Sequence, residues 1–518
     1  MRSRLFSFMP IVAASTKPCV IGLTGSIGMG KSTASSFFRR CGIRVHDADA
    51  VVHKIYSAGG AAVAPVTTAF PGVEADDGGI DRTKLSAGLR EGRFNLKELE
   101  AIVHPLVTAD RVAFLESATA DGEWIVVLDV PLLLETMDAS KRSELLDALV
   151  VVSAPADVQK ERVLARPGMT EEKLQFVLTK QVPDAEKRKA ADFVIDTGVG
   201  YSHSYAQLAK CLGELSERHS ARYDAWRGNL PLPAKPPSDP IAFIDSPFKT
   251  RAAYDEYLQG ARSLPSSALP SPIKGVSFDL DDTLWPTMPP ILQAAKALTK
   301  AIEEFMPKSY AAGAAERSNL MGMMRTIAAE QPLLAHDFTE LRRTSLKQLA
   351  DKHGDDVEGT EEVMTRFLRA RSDVSSHFFP GALDTLAALR SDGLPVGGCT
   401  NGNCDLRLHE EVSTHFDFAV TAGDSGAAKP SPVPFWHASA SIPDCRPCNL
   451  VHIGDDVVTD LTGALKAGCR AILITFPANV RSEEQLAQMP PADPSRWREV
   501  ASFEEAVAVV REWRSQEA

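Results

Sequence analysis

Short apolar runs recur along two parts of the chain and alternate with longer amphipathic stretches. In the first part the runs occupy residues 20–24, 43–46, 124–128 and 148–152. Runs of this length predict buried strands, and the stretches between them have the spacing of helices. Such alternation is typical of a parallel α/β sheet, whose ligands bind at the carboxyl ends of the strands.

The second part repeats this pattern after one long interruption. Apolar runs at 276–278, 394–399, 418–421, 450–453 and 471–475 predict five strands. Between the first and second of them, residues 288–379 have helical spacing throughout. The sequence therefore predicts a second parallel α/β sheet that carries a helical cap at about 288–379.

A proline-rich stretch separates the two parts. Prolines recur at positions 231, 233, 236, 237, 240, 247, 265, 270 and 272, and they suppress regular structure. We therefore predict an extension at 1–19, a first domain at 20–228, a linker at 229–272 and a second domain at 273–518. A short helical pattern at 250–262 interrupts the linker.

Composition narrows the class of protein. The chain has 518 residues and a net charge of −12, which argues against a general nucleic-acid binder because such proteins need a cationic face. No apolar run approaches the roughly 18–20 residues of a membrane span. Eight cysteines in this length favour a reducing compartment. We expect a cytoplasmic enzyme, with a mitochondrial destination left open by the basic residues near the start; its oligomeric state stays open.

The first strand leads into a phosphate-binding loop with the pattern GxxxxGKS. Its backbone N–H groups surround phosphates, the lysine reaches the β- and γ-phosphates and the serine hydroxyl holds Mg²⁺. The pattern predicts ATP as co-substrate and Mg²⁺ as cofactor. The candidate ATP-binding residues here are Gly25, Ser26, Ile27, Gly28, Met29, Gly30, Lys31, Ser32 and Thr33.

Further motifs after this loop resemble those of dephospho-coenzyme A kinases, over about residues 20–215. They are Asp47-Ala48-Asp49, His104-Pro105-Leu106, Asp129 to Glu135, Arg162, Arg166, Gln181, Lys187 and Ala191-Asp192. The resemblance implies transfer of the γ-phosphoryl of ATP to the ribose 3′-hydroxyl of dephospho-coenzyme A. It also implies catalytic roles for Lys31 and Asp49.

Two alternatives remain for this part of the chain. Asp49 has the position of a helix N-cap, and a different P-loop kinase, such as a nucleoside kinase, would share the loop. We expect Arg162 and Arg166, four residues apart, to share one helix face where a lid closes on ATP.

The second part has a strand ending in the pattern DxDxT, formed by Asp279, Asp281 and Thr283. An aspartate can attack phosphorus only if cations offset the charge repulsion, so a lysine and further acids are needed. They follow in order at the ends of later segments: Thr400, Asn401, Lys429, Asp455, Asp456 and Asp460.

This order resembles the haloacid dehalogenase superfamily of phosphatases, over about residues 273–476. The resemblance implies that Asp279 is the nucleophile, Asp281 the acid/base and Lys429 a catalytic charge stabiliser. It assigns phosphate binding to Thr400 and Asn401, and Mg²⁺ binding to Asp279, Asp281 and Asp455. In the first site, the GxxxxGKS pattern assigns Mg²⁺ binding to Ser32.

The substrate of the second site is the least readable feature. Its motifs look most like phosphatases of flavin mononucleotide and pyrimidine precursors, and an intermediate such as 4′-phosphopantetheine is an alternative. Arg342 and Arg343 of the cap are candidates to meet an anionic substrate. A catalytically quiet regulatory module is the rival hypothesis for the whole second domain.

Overall fold

The computed structural model describes residues 17–227, 272–313, 316–476, 485 and 487–516. The helical pattern at 250–262 and most of the predicted extension and linker lie outside this range. Two compact units are present: one contains the described residues up to Phe38 with Ile43–Val194 and His219–Trp226, and the other contains Arg39–Gly42, Ile195–Arg218 and the residues from Arg227 onward. The domain boundaries inferred from the prolines stay a prediction.

The first sheet has five strands in the order β2-β3-β1-β4-β5. The strands are β1 Cys19–Thr24, β2 Arg44–Asp47, β3 Ile125–Asp129, β4 Ala148–Ser153 and β5 Phe193–Asp196. β1 lies between β3 and β4 and pairs with both in parallel. Because β1, β3 and β4 are buried along their whole length, they read as continuous apolar runs.

Twelve helices accompany these strands in the described sequence up to residue 227. They are α1 Lys31–Arg40, α2 Ala48–Tyr56, α3 Val63–Ala69, α4 Arg82–Arg90, α5 Leu96–Ala120, α6 Leu133–Thr136, α7 Ala139–Leu145, α8 Ala156–Leu164, α9 Glu171–Lys180, α10 Asp184–Ala190, α11 Tyr201–Arg218 and α12 Ser220–Trp226.

The second sheet has six strands in the order β11-β10-β9-β6-β7-β8, and its pairs are parallel. The strands are β6 Gly275–Phe278, β7 Val396–Thr400, β8 Phe418–Thr421, β9 Leu450–Gly454, β10 Arg470–Ile474 and β11 Trp497–Val500. Five were predicted from apolar runs. The short strands β5 and β11 were missed, because each spans only four residues and β11 has two charged residues between its apolar ends.

The predicted cap is helical, and its helices are α13 Met288–Phe305, α14 Pro307–Ala311, α15 Arg317–Glu330, α16 Phe338–His353 and α17 Val357–Ser372. It has its own apolar core, which includes Ile302, Leu346 and Met364. The helices that follow are α18 Ala382–Ser391, α19 Glu410–Ser413, α20 Ala422–Ser425, α21 Val433–Ala440, α22 Gly463–Ala467 and α23 Phe503–Ser515. Within the described residues, no helix combines the length and apolar character that a bilayer crossing requires.

Candidate active sites

The phosphate-binding loop joins the carboxyl end of β1 to the first residue of α1. Gly28 and Gly30 have φ angles of 78° and 85°, in the left-handed region that glycine adopts without strain. A Cβ on Gly25 would lie 2.3 Å from a methyl carbon of Val152. The loop therefore needs glycine at these positions to keep its backbone N–H groups turned toward a phosphate.

Two glutamine side chains hold this loop from outside. The Ile27 N–H donates to Oε1 of Gln181 at 3.1 Å, and Nε2 of Gln159 donates to the Ile27 carbonyl at 2.7 Å. Gln159 lies on α8 and Gln181 directly follows α9. These two helices therefore fix the loop from the side opposite β1.

Lys31 forms an ion pair with Asp129, with Nζ 2.5 Å from Oδ1. Asp129 is the last residue of β3, which neighbours β1 in the sheet. Burial raises the pKa of Asp129 above its usual range, although the charge of Lys31 opposes this. The sequence analysis placed Asp129 in a motif without assigning it a role; its position directly after a buried strand was the available signal.

The N-cap of α2 is Asp47, whose carboxylate accepts a hydrogen bond from the Ala50 N–H at 3.1 Å. The alternative hypothesis that Asp49 caps this helix is therefore wrong. Asp49 lies in the first turn of α2, where its side chain is exposed. Because the capping task falls to Asp47, the Asp49 carboxylate is available to a ligand.

A cavity of about 780 Å³ brings the loop and Asp49 together. Of the predicted ATP-binding residues, Gly25 to Ser32 and Arg166 line it, whereas Thr33 and Arg162 do not. The prediction that Arg162 and Arg166 share a helix face is wrong, because α8 ends at Leu164. Pro167 and Gly168 follow, and neither favours continuation of a helix.

The same cavity is also lined by the basic side chains of His104 and Arg111 on α5. They lie seven residues apart and so occupy one face of the helix. Arg111 was missed from the sequence, where it resembles a surface arginine. Burial lowers the pKa of its guanidinium from the ordinary value, yet the group stays cationic at neutral pH and can attract an anionic ligand.

In the second unit, Lys429 lies between two aspartates. Its Nζ is 2.7 Å from Oδ1 of Asp279 and 2.6 Å from Oδ1 of Asp460. Asp279 directly follows β6, and Asp460 lies in the π-helical segment Val457–Thr462 after β9. His452 Nε2 is 3.2 Å from the same oxygen of Asp460, so the charges form one buried cluster.

The pKa values of Asp279 and Asp460 are shifted in opposite directions. Burial raises the pKa of Asp279 well above the ordinary range, against the attraction of Lys429. Burial also disfavours ionised Asp460, but Lys429 and His452 outweigh it and lower its pKa below the ordinary range. Lys429 is itself buried, and the two carboxylates raise its pKa. The cluster therefore keeps a cation beside the predicted nucleophile.

Carboxylate oxygens of Asp279, Asp455 and Asp460 lie within 4.8 Å of one another, close enough to share a metal ion. Burial, followed by the charge of Asp460, raises the pKa of Asp455 to about 7. A divalent cation would relieve this repulsion, and oxygen ligands are those that Mg²⁺ prefers. The donor set therefore fits Mg²⁺, although the carboxylate of Asp281 is not part of this group.

Asp281 instead forms an ion pair with Arg371, the penultimate residue of α17. Nη2 of Arg371 is 2.6 Å from Oδ1 of Asp281 and also contacts Oδ2. The Trp285 indole N–H donates to Oδ1 at 3.0 Å. Arg371 is buried and was missed from the sequence, because 90 residues separate it from its partner.

Thr400 and Asn401 end β7 beside this cluster. The Thr400 hydroxyl accepts a hydrogen bond from the Gly402 N–H at 2.9 Å. The side-chain amide of Asn401 bonds to both backbone groups of Lys429, at 2.7 Å and 2.9 Å. Asn401 therefore holds the backbone that carries Lys429, while Thr400 stays next to the predicted nucleophile.

A second cavity, of about 400 Å³, joins these groups to the cap. Asp279, Asp281, Thr400, Asn401, Lys429 and Asp455 all line it. Arg342 also lines it, with its guanidinium 4.0 Å from the centre of the Phe367 ring. Arg343 does not line it and pairs with Glu340 and Glu361, so only the first of the two predicted arginines reaches the cavity.

Comparison with known proteins gives separate matches for the two parts. A family described as "Dephospho-CoA kinase" matches residues 19–201, and one described as "haloacid dehalogenase-like hydrolase" matches residues 273–468. The "Dephospho-CoA kinase" of Mesorhizobium japonicum is 53% identical over 196 residues, which are 38% of this chain and 96% of that protein. The "Dephospho-CoA kinase" of Rhizobium meliloti is 50% identical, over 38% of this chain and 97% of that protein.

Among solved structures, the "2-Haloacid Dehalogenase" from Pseudomonas syringae pv. Tomato is 31% identical, with a TM-score of 0.39, and covers 46% of this chain and 99% of that one. The "Dephospho-CoA kinase" from Campylobacter jejuni is 22% identical, with a TM-score of 0.31, over 38% of this chain and 98% of that one.

Proposed function

The chain belongs to the dephospho-CoA kinase family through its amino-terminal part and has a haloacid dehalogenase-like hydrolase region after it, and from this we propose a bifunctional enzyme. One site forms coenzyme A from ATP and dephospho-CoA. The other hydrolyses a small phosphomonoester through a phosphoaspartate. The domains that carry the two sites are those predicted at 20–228 and 273–518.

For the kinase, the main support is one cavity lined by the phosphate-binding loop, Lys31 and Asp49. The 3′-oxygen of the ribose attacks the γ-phosphorus of ATP, and Asp49 accepts the proton of that hydroxyl. The bond between the γ-phosphorus and the bridging oxygen breaks, and ADP leaves. Lys31 leaves Asp129 and stabilises the charge on the transferred group. Arg111 and His104, which line the same cavity, hold the acceptor's anionic groups.

For the phosphatase, the main support is that Asp279, Asp281, Lys429 and Asp455 line one cavity. An oxygen of Asp279 attacks phosphorus, the ester bond breaks, and the leaving oxygen takes a proton from Asp281. Asp281, now a carboxylate, removes a proton from the water that hydrolyses the phosphoaspartate. Lys429 offsets the charge on Asp279 throughout.

Mg²⁺ would be held by Asp279 and Asp455 in the second site and by Ser32 with ATP in the first. Bound there, it supplies positive charge to the phosphoryl oxygens. Asp460 lies close enough to contribute, but its pairing with Lys429 and His452 assigns it to the support of that lysine.

The substrate of the second site is proposed as flavin mononucleotide or a related phosphate, with 4′-phosphopantetheine as the alternative from the coenzyme A pathway. The quiet-module hypothesis would leave the cluster around Asp279 without a role. A buried lysine held beside a carboxylate of raised pKa is costly to maintain for binding alone.

The test uses the full chain and its Lys31→Ala and Asp279→Asn variants with ATP, Mg²⁺ and dephospho-CoA, followed by mass spectrometry of the products and a panel of phosphomonoesters. Coenzyme A formation should disappear only in Lys31→Ala, and phosphate release only in Asp279→Asn. Absence of coenzyme A from the unsubstituted chain would refute the kinase proposal. Phosphate release that survives Asp279→Asn would refute the phosphatase proposal.

A further inference from the structure

The cavity of the second site has two chemically different walls. Its floor consists of the aspartates, Thr400 and Lys429 described above. The wall formed by the cap is mainly apolar, with Leu298, Met321, Met324, Phe338 and Phe367 contributed by four different helices. A ligand whose phosphate reaches Asp279 therefore places the rest of its body against hydrocarbon, thioether and aromatic groups.

Charge is unevenly distributed between these walls. The acidic groups lining the cavity all belong to the floor, and the described residues of the cap contribute two arginines, Arg342 and Arg371. The guanidinium of Arg342 stacks on Phe367, and Arg371 is neutralised by Asp281. The cap wall thus has few groups that can replace the water around a polyhydroxylated ligand.

Arg371 has donors beyond those used by Asp281. The residue is 1% exposed, and its Nε and Nη1 have no hydrogen-bond partner among the residues that the structure describes. These two atoms are closed off from solvent, so they do not face the cavity. Arg371 therefore acts at the cavity through its ion pair, which holds the carboxylate of Asp281 in place.

Building on the proposed phosphatase, we propose that the cap selects phosphate esters that carry an apolar aliphatic or aromatic group at the end remote from the phosphate over phosphates of simple sugars, which carry no such group. The floor around Asp279 and Lys429 receives the phosphate end, and the cap wall receives the hydrocarbon body. Sugar hydroxyls would lose water against this wall without gaining partners, which is unfavourable. A cavity of about 400 Å³ has room for a small organic body of this kind.

A homologous series of alkyl phosphates tests this inference. The full chain is assayed with ethyl, butyl and hexyl phosphate, with glucose 6-phosphate as the polar compound of similar size. Each buried methylene should raise kcat/KM by roughly fourfold, chiefly through KM, until the cavity is filled. Hexyl phosphate, with four more methylenes than ethyl phosphate, should then exceed it by about 250-fold. It should also exceed glucose 6-phosphate, and flavin mononucleotide and 4′-phosphopantetheine complete the panel.

Two methionines on α15 give a matched pair of variants. Met321 and Met323 are both partly buried, but only Met321 is among the residues lining the cavity. Met321→Gln should flatten the dependence on chain length by raising KM for hexyl phosphate more than it raises KM for ethyl phosphate. Met323→Gln, which alters packing inside the cap, should preserve the ratio of the two substrates.

Separate outcomes identify which hypothesis fails. If kcat/KM does not rise with chain length, or if glucose 6-phosphate is hydrolysed as well as hexyl phosphate, the inference about the cap is wrong and the phosphatase proposal stands. An equal loss in Met321→Gln and Met323→Gln would also overturn it. If no phosphomonoester is hydrolysed, both fail, because the inference rests on the proposed function.

Discussion

Lys31 of the first site and Lys429 of the second each pair with a buried aspartate, but their surroundings differ. The side chain of Lys31 is 18% exposed and has one acidic partner, whereas that of Lys429 is 1% exposed and has two. In the first site, the predicted phosphate ligands are mainly backbone N–H groups of a loop. The second relies on buried side-chain charges whose balance also bears on the stability of the fold.

Replacing each of the two lysines by methionine tests this difference between the sites. It gives the largest expected effect on stability and activity. Lys429→Met leaves Asp279 and Asp460 without their cation, so phosphate release should be lost and the second unit should lose about 3–5 kcal/mol of stability. Lys31→Met should abolish coenzyme A formation with a smaller loss of stability, because Lys31 is 18% exposed and a single carboxylate, that of Asp129, loses its cation.

Denaturant unfolding of the full chain measures the stability of each variant. Separate assays of coenzyme A formation and of phosphate release measure the two activities. Equal stability losses in the two variants would contradict the comparison. The unsubstituted chain is the reference for each activity.

Arg371 gives the next largest effect. Arg371→Met should lower kcat for phosphate release by about 10–100-fold, because Asp281 loses the group that positions it and proton transfer depends on that geometry. Arg371→Lys should restore part of the activity. Arg369, exposed on the same helix, is the matched control, and Arg369→Met should match the unsubstituted chain; a similar loss there would assign the effect to the helix as a whole.

Mg²⁺ should stabilise the second unit in a pH-dependent way. The pKa of Asp455 is raised to about 7, so the folded state favours the protonated carboxyl group. The resulting contribution to the free energy of unfolding is fully present below the ordinary pKa of an aspartate, and it is lost as the pH rises to about 7. Mg²⁺ requires the carboxylate, so its stabilisation should increase from about pH 6 to about pH 8.

Calorimetry with and without Mg²⁺ measures this difference, and Asp455→Asn should remove most of it. Coenzyme A formation, assayed without added phosphomonoester, provides the internal comparison. It shows whether the first unit stays active in Asp455→Asn. A stabilisation that is independent of pH would show that Asp455 does not bind the ion.

The smallest expected effect distinguishes Asp47 from Asp49. Asp47→Ala removes the N-cap of α2 and should cost about 1 kcal/mol of stability, with a modest effect on catalysis. Asp49→Ala should leave stability unchanged and reduce kcat for coenzyme A formation by about 10²–10⁴-fold. Denaturant midpoints and initial rates distinguish the two, and a stability loss in Asp49→Ala with normal kinetics would reverse the assignment.

The two sites were also predictable to different degrees. In the first, GxxxxGKS lies in one continuous segment, so its location was evident from the sequence, but the partner of Lys31 was not. In the second, the motifs at Asp279, Thr400, Lys429 and Asp455 were readable because each follows a buried strand or a loop of recognisable type. Arg371 carried no such signal, since its role depends on a contact with Asp281 across 90 residues.

Secondary structure shows the same limit. Continuous apolar runs predicted β1, β3 and β4 because these strands are buried on both faces, whereas β5 and β11 span only four residues and β11 has two charged residues between its apolar ends. The break of α8 before Arg166 follows from Pro167 and Gly168 and was available locally. The sequence did not show which of Asp47 and Asp49 caps α2, because either residue type can cap a helix.

The sequence by itself determined the two parallel sheets, the helical cap and most of the residues that handle phosphate, because strand periodicity and loop glycines are local properties of the chain. The tertiary structure alone decided which charges meet: Lys31 with Asp129, Lys429 with Asp460, and Arg371 with Asp281. It also decided that apolar residues of the cap line the same cavity as the predicted catalytic aspartates. Such contacts depend on how distant segments pack, and packing has no signature in a single stretch of sequence.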